Sequence, residues 1–120
     1  MIGPMDRRRA AIVLLTAGNV LVFGLFGAEK LYKPKNWIDW MPEWLNGFAN
    51  IPVAQWLTVI GIIEILMALF LLLPFRRLRQ AGALLITLHL IAIVFEIGWN
   101  EIAIRDIGLI GGSLALLLLL

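Results

Sequence analysis

Three polar side chains near the centres of long apolar runs are the residues best placed to do chemistry. In a membrane, a charged side chain at mid-depth costs about 2.5–3.5 kcal/mol on insertion scales, so it requires a partner or a function. We therefore predict that these residues form a polar layer inside a helical bundle. They are Asn19 in residues 10–28, Glu64 in residues 56–73, and His89 in residues 81–98.

Counting along the runs places these three residues at one depth. Measured from the predicted outer ends at residues 28, 56 and 98, they lie nine, eight and nine residues inside. At 1.5 Å per helical residue, these depths agree within about 2 Å. We expect Glu64 to contact His89, and such a pair can share a proton with a quinone or another small ligand. The alternative is a Glu–His–Asn hydrogen-bond cluster that only fixes helix register.

A second polar group is predicted at the outer boundary of the bundle. We expect Lys30 and Arg105 to neutralise Glu96 and Glu29 and so close the outer mouth, or to bind an anionic or polar headgroup. Long charged side chains near an interface are also commonly solvated, which is the simplest reading of this group. The group comprises Glu29, Lys30, Glu96, Glu101, Arg105 and Asp106.

Several chemistries are excluded or disfavoured by composition. The chain has no cysteine, which removes disulfide exchange, thiolate metal sites and iron–sulfur ligation. No Glu-x-x-His repeat is present for a di-iron site, and the single histidine cannot supply paired haem ligands. We predict no metal site. The net charge of +2 is small and divided between loops, so no nucleic-acid surface is expected.

The elements that must position these residues are membrane-spanning helices. Of the 120 residues, 62% are hydrophobic, and the apolar runs reach the length needed to cross a bilayer. The sequence predicts an all-α integral membrane four-helix bundle in a single transmembrane domain. The first span reads as a retained helix, because no cleavage pattern follows it. The predicted spans are residues 10–28, 56–73, 81–98 and 102–120, with an outer loop at 29–55.

Charge and aromatic residues predict the orientation. Arginines precede the first span and fill the link between the second and third, which places both termini in the cytoplasm. Aromatic residues should form an interfacial belt on the opposite side. The arginines are Arg7, Arg8, Arg9, Arg76, Arg77 and Arg79, and the aromatic residues are Tyr32, Trp37, Trp40, Trp44, Trp56 and Trp99.

The connecting segments suggest two further features. The Trp-rich outer loop has apolar residues at helical spacing interrupted by Pro42, which predicts one or two short helices in the headgroup layer. They would act as a lid that caps the bundle or as a gate over a ligand entrance. In the last span, Gly108 and Gly112 form a small-xxx-small pair, which predicts close helix packing inside the chain or in a homodimer.

The order of several short motifs resembles the DoxX family of small bacterial and archaeal membrane proteins. The resemblance covers roughly residues 9–120, and Lys30 and Glu64 match positions of the family pattern. His89 and the Trp-rich loop have no counterpart in that pattern. The motifs are Gly27-Ala28-Glu29-Lys30-Leu31, Gly61-Ile62-Ile63-Glu64, Leu71-Leu72-Leu73-Pro74 with a basic turn, Ala81-Gly82-Ala83, and Arg105-Asp106-Ile107-Gly108-Leu109.

The resemblance implies a compact four-helix bundle in the cytoplasmic (inner) membrane. It also implies a subunit or accessory protein of a membrane redox system, without independent catalytic activity, in contact with an oxidoreductase subunit or a second copy of itself. A quinone-like or lipid molecule is the expected ligand. The alternatives are a small proton-coupled transporter that uses Glu64 and His89, and a structural partner of a larger membrane complex.

Overall fold

In a computed structural model, residues 4–39, 41–98 and 100–120 are described. The described residues form four long helices, and those between the first two long helices form one short helix and two 3-10 turns. The described residues include no strand. The helices are α1 (Pro4–Tyr32), α2 (Lys35–Ile38), α3 (Val53–Leu72), α4 (Arg76–Ile97) and α5 (Glu101–Leu119), and the 3-10 turns are Glu43–Leu45 and Phe48–Asn50.

The four long helices, α1, α3, α4 and α5, are each long and apolar enough to cross a membrane. The protein is therefore an all-α membrane four-helix bundle, as the sequence predicts. The helices extend beyond the apolar runs, because backbone hydrogen bonding continues after the side chains become polar. α1, for example, begins in the arginine-rich segment and ends only at Tyr32.

Helix contacts define a bundle in which α1 packs on α3 and α5, while α4 packs on α5 and α3. The core lies in the half of the bundle where α1 begins and α5 ends. Its buried members come from all four long helices, so no pair of helices contains the core alone. They are Phe23, Met67, Ala68, Leu71, Ala83, Ile86, Leu90, Leu116 and Leu120.

α1 and α3 approach each other closely at Gly27 and Gly61. A Cβ atom on Gly27 would lie 2.7 Å from the carbonyl oxygen of Gly61, and one on Gly61 would lie 2.8 Å from the carbonyl oxygen of Gly27. Neither backbone oxygen can move aside as a side chain can. The absence of both side chains therefore allows α1 and α3 to touch through their backbones.

The glycine pair predicted from α5 does not make such an approach. Space around Gly108 is open, and the nearest atom to a Cβ on Gly112 is the Leu15 Cδ2 atom at 3.9 Å. Close packing inside the chain therefore occurs at Gly27 and Gly61, and not at the predicted Gly108 and Gly112. The local reason is that the Gly108 face of α5 points away from the other helices.

The segment between α1 and α3 folds across one end of the bundle. Pro42 precedes the first 3-10 turn, and Leu45 within that turn is buried, so the segment packs on the bundle. The indole of Trp44 donates to Glu96 of α4 over 3.3 Å, and the indole of Trp56 donates to the carbonyl oxygen of Phe48 over 3.1 Å. Of the predicted aromatic belt, Trp40 and Trp99 lie outside the described residues.

Candidate functional site

The centre of the site is a buried ion pair between α1 and α3. The Nζ atom of Lys30 donates to Oε1 of Glu64 over 2.6 Å. The side chains are only 5% and 2% exposed, so both charges are withdrawn from solvent. In such surroundings each charge depends on the other, because an unpaired buried charge is strongly unfavourable.

The glycine crossing positions this pair. On each helix the charged residue follows the glycine by three positions, as Gly27-x-x-Lys30 on α1 and Gly61-x-x-Glu64 on α3. Residues three apart share one helix face, so both charges lie on the faces that the glycines bring together. The local sequence thus fixes both the proximity of the helices and the contact between their charges.

His89 of α4 approaches the same carboxylate oxygen. Its Nε2 atom lies 3.5 Å from Oε1 of Glu64, and its side chain is 22% exposed. This distance is too long for a good hydrogen bond, and Nε2 is buried without a hydrogen-bond partner among the described residues. The ring also packs against Phe23, edge to face, with 6.0 Å between centroids. Glu64 and His89 are thus close, but the stronger partner of Glu64 is Lys30.

Asn19 does not join the group, although it lies at a similar predicted depth. Its side chain is buried and donates to the carbonyl oxygen of Leu15, one turn earlier in α1, over 2.8 Å. Its hydrogen bond therefore stays within its own helix. Depth along a helix was predictable from the sequence, whereas the face that Asn19 presents was not.

The outer-mouth group has different pairings from those expected. Lys30 forms its ion pair with Glu64, which is not a member of the group, and Arg105 pairs with its neighbour Asp106 at 3.1 Å. Glu29 accepts a hydrogen bond from Asn36, while Glu96 accepts one from Trp44. The expected neutralisation of Glu29 and Glu96 by Lys30 and Arg105 is therefore not found. Glu101 is exposed in the first turn of α5.

Aromatic rings cover the two cations of the site. The Nζ atom of Lys30 lies 4.1 Å from the centroid of a Trp37 ring and 5.9 Å from that of Phe26. The guanidinium carbon of Arg105 lies 5.6 Å from the same Phe26 ring. Cation–π contacts of this kind attract the ammonium group to the ring faces and help it remain buried. Trp37 therefore belongs to the site and does not only face the membrane interface.

These residues line one cavity beneath the segment between α1 and α3. Its volume is about 620 Å³, within the range of small-molecule sites. Most of the lining is apolar, and its ionisable side chains are Lys30, Glu64, His89, Arg105, Asp106 and Glu96. Asp106 is itself buried.

Both cations of the cavity are paired with a carboxylate. Lys30 pairs with Glu64, and Arg105 pairs with Asp106, while Glu96 is a third carboxylate that is exposed, as Arg105 is. Two further nitrogen atoms, Nε1 of Trp37 and Nε2 of His89, are buried without a hydrogen-bond partner among the described residues. The indole is a donor only, whereas the imidazole nitrogen can donate or accept, depending on the tautomer. Both side chains line the cavity, so these nitrogens are the candidates for hydrogen bonds with a neutral, partly apolar molecule once a side chain turns to expose them.

Among the described residues, no group of three or more His, Cys, Asp and Glu side chains has the geometry of a metal site. Lys30 lines the same cavity as Glu96, Arg105 and Asp106 of its predicted group, and the structure in addition pairs it with Glu64. Trp37 was not among the predicted site residues. The repeated spacing of Gly27 to Lys30 and of Gly61 to Glu64 was the available signal for Lys30.

Comparison with known proteins agrees with this architecture. No curated protein and no solved structure matches the chain. The DoxX-like family, in contrast, matches residues 14–120, which include most of α1, all of α3, α4 and α5, and every residue of the cavity. The chain is thus a multi-pass membrane protein that belongs to the DoxX-like family.

Proposed function

We propose that this protein binds a quinone-like molecule in the cavity beside Lys30, Glu64 and His89, as a subunit or accessory protein of a membrane redox system. The observation that carries the proposal is the pairing of apolar walls with two unpartnered buried nitrogens, on Trp37 and His89. A quinone ring is apolar and neutral, and its two carbonyl oxygens accept hydrogen bonds.

Charge balance favours this ligand class over an ion. The two cations of the cavity, Lys30 and Arg105, each already have a carboxylate partner. An anionic ligand would have to compete with Glu64 or Asp106, both of which are buried. A neutral ligand needs only the free nitrogens, and the ambivalent His89 can bond either a carbonyl or the hydroxyl of the reduced form.

The ion pair gives the site a route for protons. Oε1 of Glu64 lies within 2.6 Å of Lys30 and 3.5 Å of His89, so one carboxylate oxygen adjoins two groups that can carry a proton. A ligand hydroxyl near His89 would have a proton acceptor beside it. This arrangement supports binding of both redox forms and does not require the protein to transfer electrons itself.

The experiment is a titration of the protein in phosphatidylcholine nanodiscs with a benzoquinone carrying one isoprenoid unit, followed by native mass spectrometry. We expect one bound quinone per chain. Trp37→Phe keeps the ring but removes the N–H, so it should weaken binding about tenfold, the effect of one lost hydrogen bond. The matched control is Trp56→Phe, because Trp56 bonds Phe48 outside the cavity.

Binding that is absent, or that is equally affected by both tryptophan variants, would contradict the proposal. For the redox assignment, gentle extraction in native lipid should yield an oxidoreductase subunit together with the protein. Quinone binding without such a partner would support the proposed ligand and contradict the proposed redox complex.

A proton-coupled carrier is the second candidate function. It is favoured by the presence of both Glu64 and His89 in the cavity lining, since a carrier needs titratable groups in contact with its substrate path. In liposomes, Glu64→Gln should then abolish substrate-driven proton movement, whereas Glu101→Gln, outside the cavity, should not. If neither variant alters proton movement, the carrier is ruled out.

The orientation proposed with this function is both termini on the cytoplasmic side of a bacterial or archaeal cytoplasmic membrane. It is supported by the arginines that surround the start of α1 and the start of α4. The cavity would then open toward the outer leaflet. Labelling of single cysteines introduced in the first turn of α1 and in the outer loop, before and after cell lysis, tests this orientation.

A further inference from the structure

The end of the bundle opposite the cavity carries a concentration of positive charge. Six arginines lie within the first turns of α1 and α4, against one acidic residue, Asp6. They are Arg7, Arg8, Arg9, Arg76, Arg77 and Arg79. α1 and α4 begin at this end of the bundle, and α3 and α5 end at it. The charge therefore lies at the level where membrane headgroups meet the protein.

Three of the arginines are engaged in holding the helices together. Arg8 donates to the carbonyl oxygen of Leu119 over 2.7 Å, and Arg76 donates to the main-chain oxygen of Leu120 over 2.6 Å. Arg79 donates to the carbonyl oxygen of Leu71 over 3.3 Å. These bonds satisfy carbonyl groups at the C-terminal ends of α5 and α3, which have no partner within their own helix.

The other three arginines make no such hydrogen bond to a helix end within the described residues. Arg7, Arg9 and Arg77 are exposed, and the described residues provide no hydrogen bond or ion pair to their side chains. Asp6 forms no ion pair with them either. These exposed guanidinium groups stay charged in water, and because they add to the other positive charges at this end of the bundle, they attract an anion there.

An apolar surface adjoins these free charges. Arg76 and Arg77 share a shallow groove with Pro74, Phe75 and Leu78, and the Phe75 side chain is 61% exposed. Arginine next to exposed apolar groups at the end of a membrane helix matches a phospholipid, which has an anionic phosphate directly above acyl chains. A soluble anion would leave Phe75 and Leu78 uncovered.

We infer that Arg77 and the groove beside Phe75 bind the headgroup of an anionic phospholipid, and that Arg7 and Arg9, exposed at the same end of the bundle, add to the attraction for it. The phosphate lies against the Arg77 guanidinium, and the acyl chains descend along the groove beside Phe75. The site is independent of the cavity and of the function proposed for it. It gives the protein a preference for membranes rich in anionic lipid.

The test is a lipid titration of the whole protein in detergent, measured by native mass spectrometry, with phosphatidylglycerol and phosphatidylcholine as probes. Each basic residue near a charged surface contributes roughly a fivefold change in affinity, so Arg7→Gln/Arg77→Gln should weaken phosphatidylglycerol binding about 25-fold. The control Lys33→Gln/Lys35→Gln makes the same change of charge at the opposite end of the bundle and should leave binding unchanged. Binding to phosphatidylcholine should be unaffected in every variant.

Equal affinity for the two lipids would overturn the inference, as would an equal loss in both double variants. Because Arg7 and Arg77 make no side-chain bond within the described residues, the arginine variant should unfold at the wild-type temperature. If it does not, Arg7→Lys/Arg77→Lys provides a second test. That variant keeps the charge, so phosphatidylglycerol should still bind more tightly than phosphatidylcholine, and a lost preference would also count against the site.

Discussion

Lys30 reaches from α1 to Glu64 on α3 over 2.6 Å, beside a crossing where Gly27 and Gly61 bring the two backbones together. Side chains in a helix tilt toward its N-terminus. Because the chain reverses direction between α1 and α3, Lys30 and Glu64 tilt toward each other along the bundle axis. The ion pair and the glycine crossing are therefore one structural unit.

The first prediction concerns the dependence of each charge on the other. Glu64→Gln leaves the Lys30 ammonium buried without its counter-charge, so it should lower the free energy of unfolding by about 3–5 kcal/mol. Removing both charges, as Lys30→Met/Glu64→Met, should restore most of that loss. Thermal unfolding in a mild detergent measures the difference. The exposed Glu43→Gln serves as control and should unfold as the wild type does.

The opposite ranking, with the double variant less stable than Glu64→Gln, would show that the ion pair itself stabilises the fold. Equal stability of the wild type and Glu64→Gln would indicate that Lys30 finds another partner or reaches water. Either result would contradict the dependence described above.

The second prediction concerns the glycine crossing. Gly27→Ala places a Cβ 2.7 Å from a backbone oxygen, so α1 and α3 must separate, at a cost of about 1–3 kcal/mol. The control Gly24→Ala lies one turn away in the same helix, where a Cβ meets no atom within 4 Å. It should be neutral or slightly stabilising, because alanine favours helix more than glycine does. Unfolding temperatures that do not separate the two variants would refute the close crossing.

Sequence reasoning predicted the fold and the neighbourhood of Glu64 and His89 for a simple physical reason. Spanning helices of similar length alternate in direction, so residue number translates directly into depth. It could not predict which residues face each other across the bundle. Asn19 has the right depth but bonds its own helix, to the carbonyl oxygen of Leu15.

Lys30 shows a second limit of sequence reasoning, which concerns where a long side chain reaches. Its position at the end of an apolar run assigned it to the outer boundary, where lysine usually extends toward water. In the structure its flexible stem turns inward instead, because Glu64 and the ring of Trp37 offer a better environment. The partner of a long side chain depends on such local contacts, so it cannot be predicted from the hydropathy of the sequence.

A third prediction tests the contact between the outer segment and α4. The indole of Trp44 donates to Glu96 over 3.3 Å at an exposed position. Trp44→Phe should change global stability by less than about 1 kcal/mol, because exposed polar contacts contribute little. Amide hydrogen exchange in residues 41–51 should nevertheless become faster, while exchange in α3 stays the same. Unchanged exchange in residues 41–51 would mean that the packing of Leu45 alone holds the segment.

A fourth prediction addresses the contact between α4 and α5. The hydroxyls of Thr87 and Ser113 lie 2.7 Å apart and are buried, and each is also within reach of a carbonyl oxygen of its own helix. Each hydroxyl has one proton, so a bond between the two replaces one of these backbone bonds. A double-mutant cycle with Thr87→Val and Ser113→Ala should give a coupling of about 0.6 kcal/mol, typical of hydroxyl pairs between membrane helices. Thr58→Val is the control, since Thr58 makes the same backbone bond at an exposed site. Zero coupling between Thr87 and Ser113 would show that the backbone bonds alone satisfy both hydroxyls.

The last prediction uses Gly108 to separate internal packing from assembly. Because the space around a Cβ at this position is open within the chain, Gly108→Leu should leave the stability of the monomer nearly unchanged. If a second copy or another protein packs on this face of α5, the same substitution should dissociate it, since small residues permit close helix approach. The measurement is the mass of the complex in nanodiscs, with Gly18→Leu on α1 as a control that is equally open. A destabilised monomer would contradict the open environment of Gly108, whereas loss of a partner from Gly108→Leu alone would identify α5 as the assembly face.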